Sequence, residues 1–434
     1  MKHKFAFFLV IFLFFSKNYS QNYKPLDTAD YAERKLFLKS FEENNEILIK
    51  SLKQKYDSET GSELSKFYKE FQKSFEKEVK NKDFTFTSPF DKKIAKIISE
   101  LKKSNPQIPN NLKVLVARDN TPNAFCLADG TFIVNMGLFN WLENEGQIAS
   151  VLSHELGHKI LEHTLKSLLK GVDEKKLDKS AVENIREINV NKSQKAFDIV
   201  NNRFYKKGIE KRKNEISADS IGYVLYRNSG YQKSEYINAL KNLNEFDTIS
   251  PRELKITTYK KIFEIPKQPF KDKWLKKEDF SLYNYNFYKE KLDKDSLSTH
   301  PELVKRMNVL SNYFVELKNQ EKPKEADEDF KNLQIIAQKE ILPNFYHDEE
   351  YGAGIYVALQ FLQDNEDEEY YKAWLGKCFE KIYTARKNYN LNRYLDRVDP
   401  KNQSESYQQF LNFMWNLSMD EIKNISDFYN NKGT

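Results

Sequence analysis

The chain has 434 residues, of which 39% are hydrophobic and 31% are charged. This length allows two or three domains with hydrophobic cores. The low numbers of glycine (13) and proline (12) exclude a collagen-like or linker-dominated protein. The formal net charge is +6. Because basic residues are interleaved with acidic ones rather than gathered in a block, the charge argues against a nucleic-acid-binding protein.

The N-terminal sequence MKHKFAFFLVIFLFFSKNYSQ has the pattern of a secretory signal. A basic start is followed by eleven apolar residues, Phe5 to Phe15, and then by small and polar residues. Eleven residues are too few to cross a bilayer, which needs about 20. We therefore predict a signal peptide over residues 1–20; an uncleaved anchor is the alternative, because Asn18 fits the cleavage rule poorly. No later segment approaches about 18 apolar residues, so we expect a soluble, periplasmic or secreted mature protein.

Helices and a hairpin are predicted next along the chain. Residues 26–105 have apolar residues at three- and four-residue spacing, which predicts helices with charged outer faces. LKVLVARD (112–119) is a short β-rich run. AFCLADGTFIVN (124–135) predicts two strands around Asp129 and Gly130, a favoured hairpin turn.

Beyond the hairpin the helical pattern returns, over about 138–169 and again around 212–231. Residues 255–297 are basic and aromatic, which fits either nucleic-acid stacking or an inserted surface element. We favour the surface element, because acidic residues are mixed in and no nucleic-acid motif accompanies the segment. A helical region is predicted over 318–434, where LGKCF (375–379) resembles the core of a tetratricopeptide repeat. No second copy follows at the repeat's roughly 34-residue period.

The chain has two cysteines, Cys126 and Cys378. An oxidising compartment would permit a disulfide between them, but their positions in the sequence do not show that they meet. We favour the alternative, in which both are buried free thiols in different domains.

The segment VLSHELGHKILEH (151–163) contains three of the six histidines. On a helix, positions i and i+4 lie on one face, so His154 and His158 project together and can bind one zinc ion. Glu155 lies about 100° round the helix, from where it can reach a water on the metal without ligating the metal itself. This is the H-E-x-x-H arrangement of zinc peptidases, in which the glutamate acts as general base.

A chance match and a structural zinc site are the alternatives to a catalytic site. A chance match in a chain with so few histidines has odds of roughly one in a hundred. Structural zinc sites favour cysteine ligands, which this segment lacks. The flanks support a buried active-site helix, since five apolar residues surround the motif: Val151, Leu152, Leu156, Ile160 and Leu161.

A catalytic zinc also needs a third protein ligand and one open position. His163 is nine residues from His154, or about 900° of rotation, and so should point to the opposite side as a partly buried or capping residue. NEISAD (214–219) offers a better candidate in Glu215. Asp219, one helical turn later, can accept a hydrogen bond from the far ring nitrogen of a zinc histidine, which we expect to be His154.

Together these motifs resemble those of the HtpX and CAAX prenyl protease type of gluzincin, metallopeptidase family 48. Order and spacing agree over about 95–310, half of the chain. The matching segments are Asn123-Ala124-Phe125, a glycine-containing hairpin, GLF (137–139), HELGH (154–158), NEISAD (214–219) and THPE (299–302) with Arg306. The chain is most similar to the soluble secreted branch of the family, in which helical repeat tails are common.

The resemblance implies a mainly α fold with a small β-sheet (α+β). A gluzincin zinc-peptidase domain would span residues 21–317, with its core over about 95–310, and would be followed by the helical C-terminal region. The resemblance also implies one Zn²⁺ per chain. The implied ligands are His154, His158 and Glu215, and the implied catalytic carboxylate is Glu155.

Two further residues correspond to functional positions of the family. Asn123 corresponds to a residue near the substrate backbone and could donate a hydrogen bond to the carbonyl as charge develops. The alternative is an asparagine that makes a local turn with Pro122. His300 corresponds to a residue that approaches the zinc, where it could stabilise the oxyanion or occupy the open position. The alternative is a histidine that merely precedes a helix.

The strand before the active helix offers a binding position for substrate. An extended peptide could pair with its edge, which uses main-chain hydrogen bonds and demands little of the side chains. The residues concerned are Thr131, Phe132, Ile133, Val134 and Asn135. An endopeptidase that acts on unfolded or misassembled proteins would fit such binding.

The sequence therefore predicts a secreted zinc-dependent endopeptidase. By analogy with the family, we expect a role in envelope protein quality control, with unfolded or misassembled envelope proteins as substrates and no nucleic-acid partner. The C-terminal helices could bind protein partners. The alternative is a chaperone-like or scaffold protein that binds peptides while its metal site is idle.

Overall fold

The structure is a computed structural model that describes eight stretches of the chain. They are residues 23–110, 112–127, 129–173, 208–248, 252–277, 303–319, 321–400 and 403–430. The predicted signal peptide, Ala128 of the hairpin, His300 and residues 278–297 of the basic, aromatic segment lie outside these stretches.

Two long helices, α1 (Tyr31–Lys55) and α2 (Ser58–Lys80), come first. The turn between them is held by Asp57, whose side chain accepts hydrogen bonds from the backbone N–H groups of Glu59 and Thr60 and so caps α2. Buried aromatic residues of both helices pack against one face of a small sheet. A third helix, α3 (Pro89–Lys103), follows the first strand of that sheet.

The sheet has four strands in the order β1-β2-β4-β3. They are β1 (Phe84–Thr85), β2 (Lys113–Ala117), β3 (Ala124–Cys126) and β4 (Thr131–Asn135). β2 and β4 run parallel, and the other two pairs are antiparallel. β3 and β4 form the predicted hairpin, whose turn uses Gly130 at φ +92°. β4 is therefore an internal strand with a partner on each side.

Both faces of the sheet are buried. Successive side chains of a strand point to opposite faces, so neighbouring residues of one strand enter different cores. Leu115 and Ile133 pack with α1 and α2 on one face. Val116 and Phe132 pack on the other face in the largest core, which includes the apolar side of α3. The sheet thus separates the N-terminal helices from the helices that carry the candidate site.

Five helices follow the sheet within described residues 138–173 and 208–248. They are α4 (Leu138–Trp141), α5 (Glu145–Ile160), α6 (His163–Asp173), α7 (Gly208–Asn228) and α8 (Ser234–Thr248). The helices predicted over 138–169 and 212–231 are confirmed, although the first is divided into three. Gly230, at φ +81°, follows the end of α7, where glycine commonly takes the left-handed conformation.

The remaining helices run to the C-terminal end of the described chain. They are α9 (Ile256–Phe263), α10 (Leu303–Tyr313), α11 (Glu328–His347), α12 (Tyr351–Gln363), α13 (Glu368–Lys387), α14 (Glu405–Asn416) and α15 (Met419–Tyr429), with short 3-10 turns at Asp272–Leu275, Val315–Lys318 and Leu391–Arg393. α10 packs with α7 and α8, whereas α12 to α15 build a second core.

The described part of residues 255–297 is amphipathic: most of its residues are exposed, whereas several large apolar side chains are buried. Trp274 is completely buried and contacts Phe413 of α14 edge to face. Phe263 of α9 packs between Phe379 and Phe413. Among the described residues of this segment, Tyr259, Phe263 and Trp274 therefore belong to the core of the C-terminal helices, where they bury a large apolar area.

α11 joins the two parts of the molecule. Its first half places Phe330 and Leu333 in the core beside the sheet, and Leu342 near its end lies in the C-terminal core. Its middle holds Glu340, a buried carboxylate that accepts hydrogen bonds from the Tyr23 hydroxyl and the Leu26 backbone N–H. The predicted mainly α fold with a small β-sheet is confirmed.

The two cysteines are buried and unpaired, as predicted, with Cys126 in the core beside the sheet and Cys378 in the C-terminal core. Burial raises the pKa of both thiols, which keeps them protonated and unreactive. Among the described helices, none combines the length and apolar character that a membrane crossing requires.

Candidate metal and active site

α5 is a buried helix at the centre of the molecule. Its N-terminus is capped by Asn144, whose side chain accepts a hydrogen bond from the backbone N–H of Gln147. Every residue from 146 to 157 is buried. A helix that is buried on all sides is held rigidly, so the polar side chains that it carries are fixed in position.

Two glycines bring α5 and α7 into backbone contact. A Cβ atom on Gly157 of α5 would lie 2.4 Å from the backbone oxygen of Ala218. A Cβ atom on Gly222 of α7 would lie 2.8 Å from the Cα atom of His154. Only glycine allows an approach this close. This contact is what places the two halves of the predicted site within reach of each other.

The predicted metal ligands converge at this contact. The Nε2 atoms of His154 and His158 lie 3.1 Å apart. Glu215 of α7 places its carboxylate oxygens 3.6 Å from each of these nitrogens. For zinc bonds of about 2.0–2.1 Å, the corners of a tetrahedron lie about 3.3 Å apart. The three side chains therefore fit three corners of a tetrahedral metal site.

The chemistry of the cluster agrees with its geometry. Oε2 of Glu215 lies 3.0 Å from the guanidinium of Arg306, which helps to keep the carboxylate ionised, as a metal ligand must be. One carboxylate and two imidazole nitrogens are also a donor set that suits zinc. His154, His158 and Glu215 are the one group among the described residues whose ligand atoms lie close enough together to hold a metal ion.

Asp219 lies behind His154, as the sequence predicted. Its Oδ1 is 2.8 Å from Nδ1 of His154. This contact favours a proton on Nδ1, and the lone pair of Nε2 then faces the cluster. The sequence identified Asp219 for this position because it follows Glu215 by one helical turn.

Arg306 is a member of the site to which sequence reasoning gave no role. Its guanidinium donates two hydrogen bonds of 2.7 Å to the carboxylate of Asp219, and its third nitrogen lies 3.0 Å from Oε2 of Glu215. The buried cation thus compensates the buried carboxylate of Asp219 and the partly buried carboxylate of Glu215. The motif that contains it could be recognised, but its position against α7 depends on a contact between residues 87 positions apart.

Burial and charge set the protonation of the site. Burial lowers the pKa of His158 to about 3, which leaves a neutral imidazole. For Glu215, burial acts to raise the pKa, but Arg306 and the two histidines outweigh it and hold the pKa well below its usual range. For His154, burial and Arg306 act to lower the pKa, but the carboxylates of Asp219 and Glu215 outweigh them and raise the pKa to about 9, so a metal ion that binds Nε2 must displace a proton from it.

Glu155 lies between the metal cluster and the sheet. Its Oε1 is 4.0 Å from Nε2 of His154, and its carboxylate accepts a hydrogen bond from the backbone N–H of Cys126 in β3. Burial is the main cause that raises its pKa to about 7. A carboxylate in this position, with a pKa near neutrality, is suited to take up and release a proton.

The predicted pairing of a peptide with residues 131–135 is wrong. Both edges of β4 are occupied, one by β2 and the other by β3, so Thr131, Phe132, Ile133, Val134 and Asn135 have no free edge to offer. The strand beside Glu155 is β3. β2 and β4 are not joined by a hairpin, so the local sequence pattern does not reveal their parallel pairing.

Asn123 lies immediately before β3 and is buried. Its backbone N–H donates to the oxygen of Thr121, and its backbone oxygen accepts from Asn135, so it takes part in a local turn at the start of the strand. Its contact with substrate remains a prediction. His300, the other residue with a predicted role near the carbonyl, lies outside the described residues.

His163 occupies a different position from the predicted one. α5 ends at Ile160, and Glu162 takes a left-handed conformation with φ +54°, so the chain reverses before α6 begins. As a result Nδ1 of His163 lies 3.0 Å from Nδ1 of His158. The prediction that His163 points away from the site is wrong, because it extended the helix through a residue that breaks it.

A buried H-E-x-x-H helix that shares a ligand cluster with a glutamate of a neighbouring helix defines a metallopeptidase type of site. The chain belongs to peptidase family M48, whose model matches residues 90–313, just over half of the sequence. This membership agrees with the metallopeptidase type of site.

Two curated proteins are similar to part of the chain. Mitochondrial metalloendopeptidase OMA1 of Arabidopsis thaliana is 31% identical over 119 residues, which cover 27% of this chain and 23% of that protein. Metalloprotease YcaL of Escherichia coli (strain K12) is 38% identical over 79 residues, which cover 18% of this chain and 30% of that protein. The chain thus spans less than a third of either relative.

Proposed function

We propose that the protein is a zinc-dependent metalloendopeptidase. The observation that carries this proposal is the convergence of Nε2 of His154, Nε2 of His158 and the carboxylate of Glu215, with Glu155 beside them. A structural zinc site would be closed by four protein ligands, whereas the described part of the chain supplies three to this cluster. A buried carboxylate next to an open coordination position is the arrangement that hydrolysis requires.

In this proposal, His154, His158 and Glu215 hold one zinc ion. Bound zinc supplies a Lewis acid that makes water a better nucleophile and polarises a carbonyl. Glu155 acts as the general base: its carboxylate takes a proton from water and can pass it to the leaving amine. Asp219 keeps His154 in the tautomer that ligates the metal.

The edge of the sheet supports an extended polypeptide as substrate. Asn123 and Leu127, which flank β3, form main-chain hydrogen bonds with β4. Because the main-chain groups of successive residues point to alternate sides of a strand, those of Ala124 and Cys126 face away from β4, on the side of Glu155. A chain bound along this edge would be recognised by its backbone, with little demand on sequence. Unfolded or misassembled proteins offer such chains.

The biological setting is also part of the proposal. The basic and apolar N-terminal sequence supports export, and we propose a periplasmic or secreted enzyme that acts on misassembled envelope proteins. The C-terminal helices, which enclose a core of their own, would present a surface to protein partners. OMA1 is named a metalloendopeptidase and YcaL a metalloprotease, which supports the type of reaction.

Replacement of Glu155 by glutamine tests the proposal. Glu155→Gln keeps the size of the side chain and removes the base, so cleavage of casein should fall by about 10²–10⁴-fold while zinc content is unchanged. Glu63→Gln, the same change at a half-buried position of α2, is the matched control and should cleave like the parent. If Glu155→Gln also cleaves like the parent, or if the parent binds peptide without cleaving it, the chaperone-like alternative replaces the peptidase.

A further inference from the structure

His163 lies against one of the two metal-binding histidines. Its Nδ1 atom is 3.0 Å from Nδ1 of His158, on the side of the ring away from the cluster. The two rings meet at 75° with centroids 5.0 Å apart, so the contact is between the edges of the rings rather than between stacked faces. The side chain of His163 is buried, which keeps it in this position.

Two facing ring nitrogens form a hydrogen bond only when one of them carries a proton and the other does not. Nε2 of His158 faces Glu215 and must keep its lone pair to bind a metal. The proton of a neutral His158 therefore lies on Nδ1, which donates to Nδ1 of His163. His163 then carries its own proton on Nε2.

A hydrogen-bond acceptor for the Nε2–H group of His163 lies close by. Nε2 of His163 lies 3.3 Å from Oγ of Ser217. The Ser217 hydroxyl donates to the backbone oxygen of Asn214 at 3.0 Å, so its oxygen has a lone pair free for the histidine. A single assignment of protons thus satisfies the whole series from His158 through His163 to Ser217.

We propose that His163 is a positioning residue that holds His158 in its metal-binding tautomer and orients its ring. It would do for His158 what Asp219 does for His154. The inference rests on the proposed zinc site. It also connects the ligands, because Ser217 follows Glu215 by two residues on α7, so the series ties the turn after α5 to the helix that supplies the third ligand.

Charge explains why an imidazole suits this position. The site already contains Glu155, Glu215 and Asp219, and the described structure offers Arg306 as the buried cation beside the last two. A further carboxylate behind His158 would add negative charge without a partner. A neutral histidine accepts the same hydrogen bond from His158 without adding charge. The turn at Glu162 makes this possible, since a continued helix would place residue 163 about 140° round from His158.

The test compares variants of the full-length protein by their affinity for zinc, measured through competition with a chromophoric chelator. His163→Phe keeps a planar ring but removes the acceptor, and should weaken zinc binding by about 10–100-fold. His163→Gln keeps an acceptor oxygen and should recover most of that loss. Ser217→Ala, a milder change, should weaken binding a few-fold. His347→Phe, far along the chain on α11, is the matched control and should bind zinc like the parent.

Melting temperatures of the metal-free proteins separate positioning from folding. If His163→Phe binds zinc as tightly as the parent, or if His163→Gln is as weak as His163→Phe at an equal melting temperature, the inference is overturned. In the zinc-loaded parent, two-bond ¹H–¹⁵N spectra should show the His163 proton on Nε2, and a proton on Nδ1 would also overturn it. Absence of zinc binding by the parent itself would refute the proposed function together with this inference.

Discussion

Arg306 donates two hydrogen bonds of 2.7 Å to the two carboxylate oxygens of Asp219, and both side chains are almost completely buried. The pair joins α10 to α7 directly behind His154. Removal of one partner of a buried pair leaves an uncompensated charge, which costs about 3–5 kcal/mol. The pair is therefore a support of the site as well as a part of the fold.

Arg306→Ala should lower the free energy of unfolding by about 3–5 kcal/mol, because Asp219 and Glu215 lose their buried cation. Urea denaturation at neutral pH measures the loss. Arg393→Ala is the control: its side chain is 65% exposed and pairs with Glu349 at the surface, so the loss should stay below about 1 kcal/mol. Equal losses in the two variants would contradict the role of Arg306.

Gly222→Ala should separate α5 from α7. The new Cβ would lie 2.8 Å from Cα of His154 and 2.8 Å from the oxygen of Ser153, so backbone atoms must move. We expect a lower melting temperature and loss of zinc binding, since Glu215 moves with α7. Gly354→Ala in α12 meets its nearest atoms at an ordinary 3.4 Å and should change neither property. Wild-type zinc binding by Gly222→Ala would show that the close contact is not needed.

Asp348, at the end of α11, should make stability depend on pH. Burial is the main cause that raises its pKa from 3.8 to about 8. Repulsion by the nearby carboxylates of Asp83, Glu350 and Asp119 adds to the effect. Between about pH 4 and 8 the folded state therefore holds a proton that the unfolded state has released, so the free energy of unfolding falls as the pH rises through this window.

Asp348→Asn should remove this dependence. The variant should be more stable than the parent by at least about 1 kcal/mol at pH 8, with the difference vanishing below about pH 4. Chemical denaturation across the pH range measures both values. Glu349→Gln, the exposed neighbour, should change stability by less than about 1 kcal/mol at either pH. A difference for Asp348→Asn that stays the same at pH 4 and pH 8 would rule out this titration.

Local patterns were enough to predict much of the fold. The hairpin follows from an Asp-Gly turn between apolar runs, and the active helix follows from its apolar flanks. The ligands His154 and His158 share a face because of helix geometry alone. For Glu215 and Asp219 the helix spacing was informative, but their meeting with α5 was inferred from resemblance to a family.

Contacts between distant segments were not predictable in the same way. The position of Arg306 depends on the packing of α10, and the burial of Trp274 depends on the C-terminal helices. The parallel partner of β4 is set by the whole sheet. The predicted position of His163 was wrong for a local reason. Glu162 takes a positive φ that a glutamate rarely adopts, and its residue type does not indicate this conformation.

The most direct test of the metal site is elemental analysis of the purified full-length protein after reconstitution with zinc and removal of the excess. We expect one zinc ion per chain in the parent. We expect less than a tenth of that in His158→Ala and in Glu215→Ala, with the Glu155→Gln variant loaded like the parent. A parent without zinc, or ligand variants that retain a full zinc ion, would contradict a shared site formed by His154, His158 and Glu215.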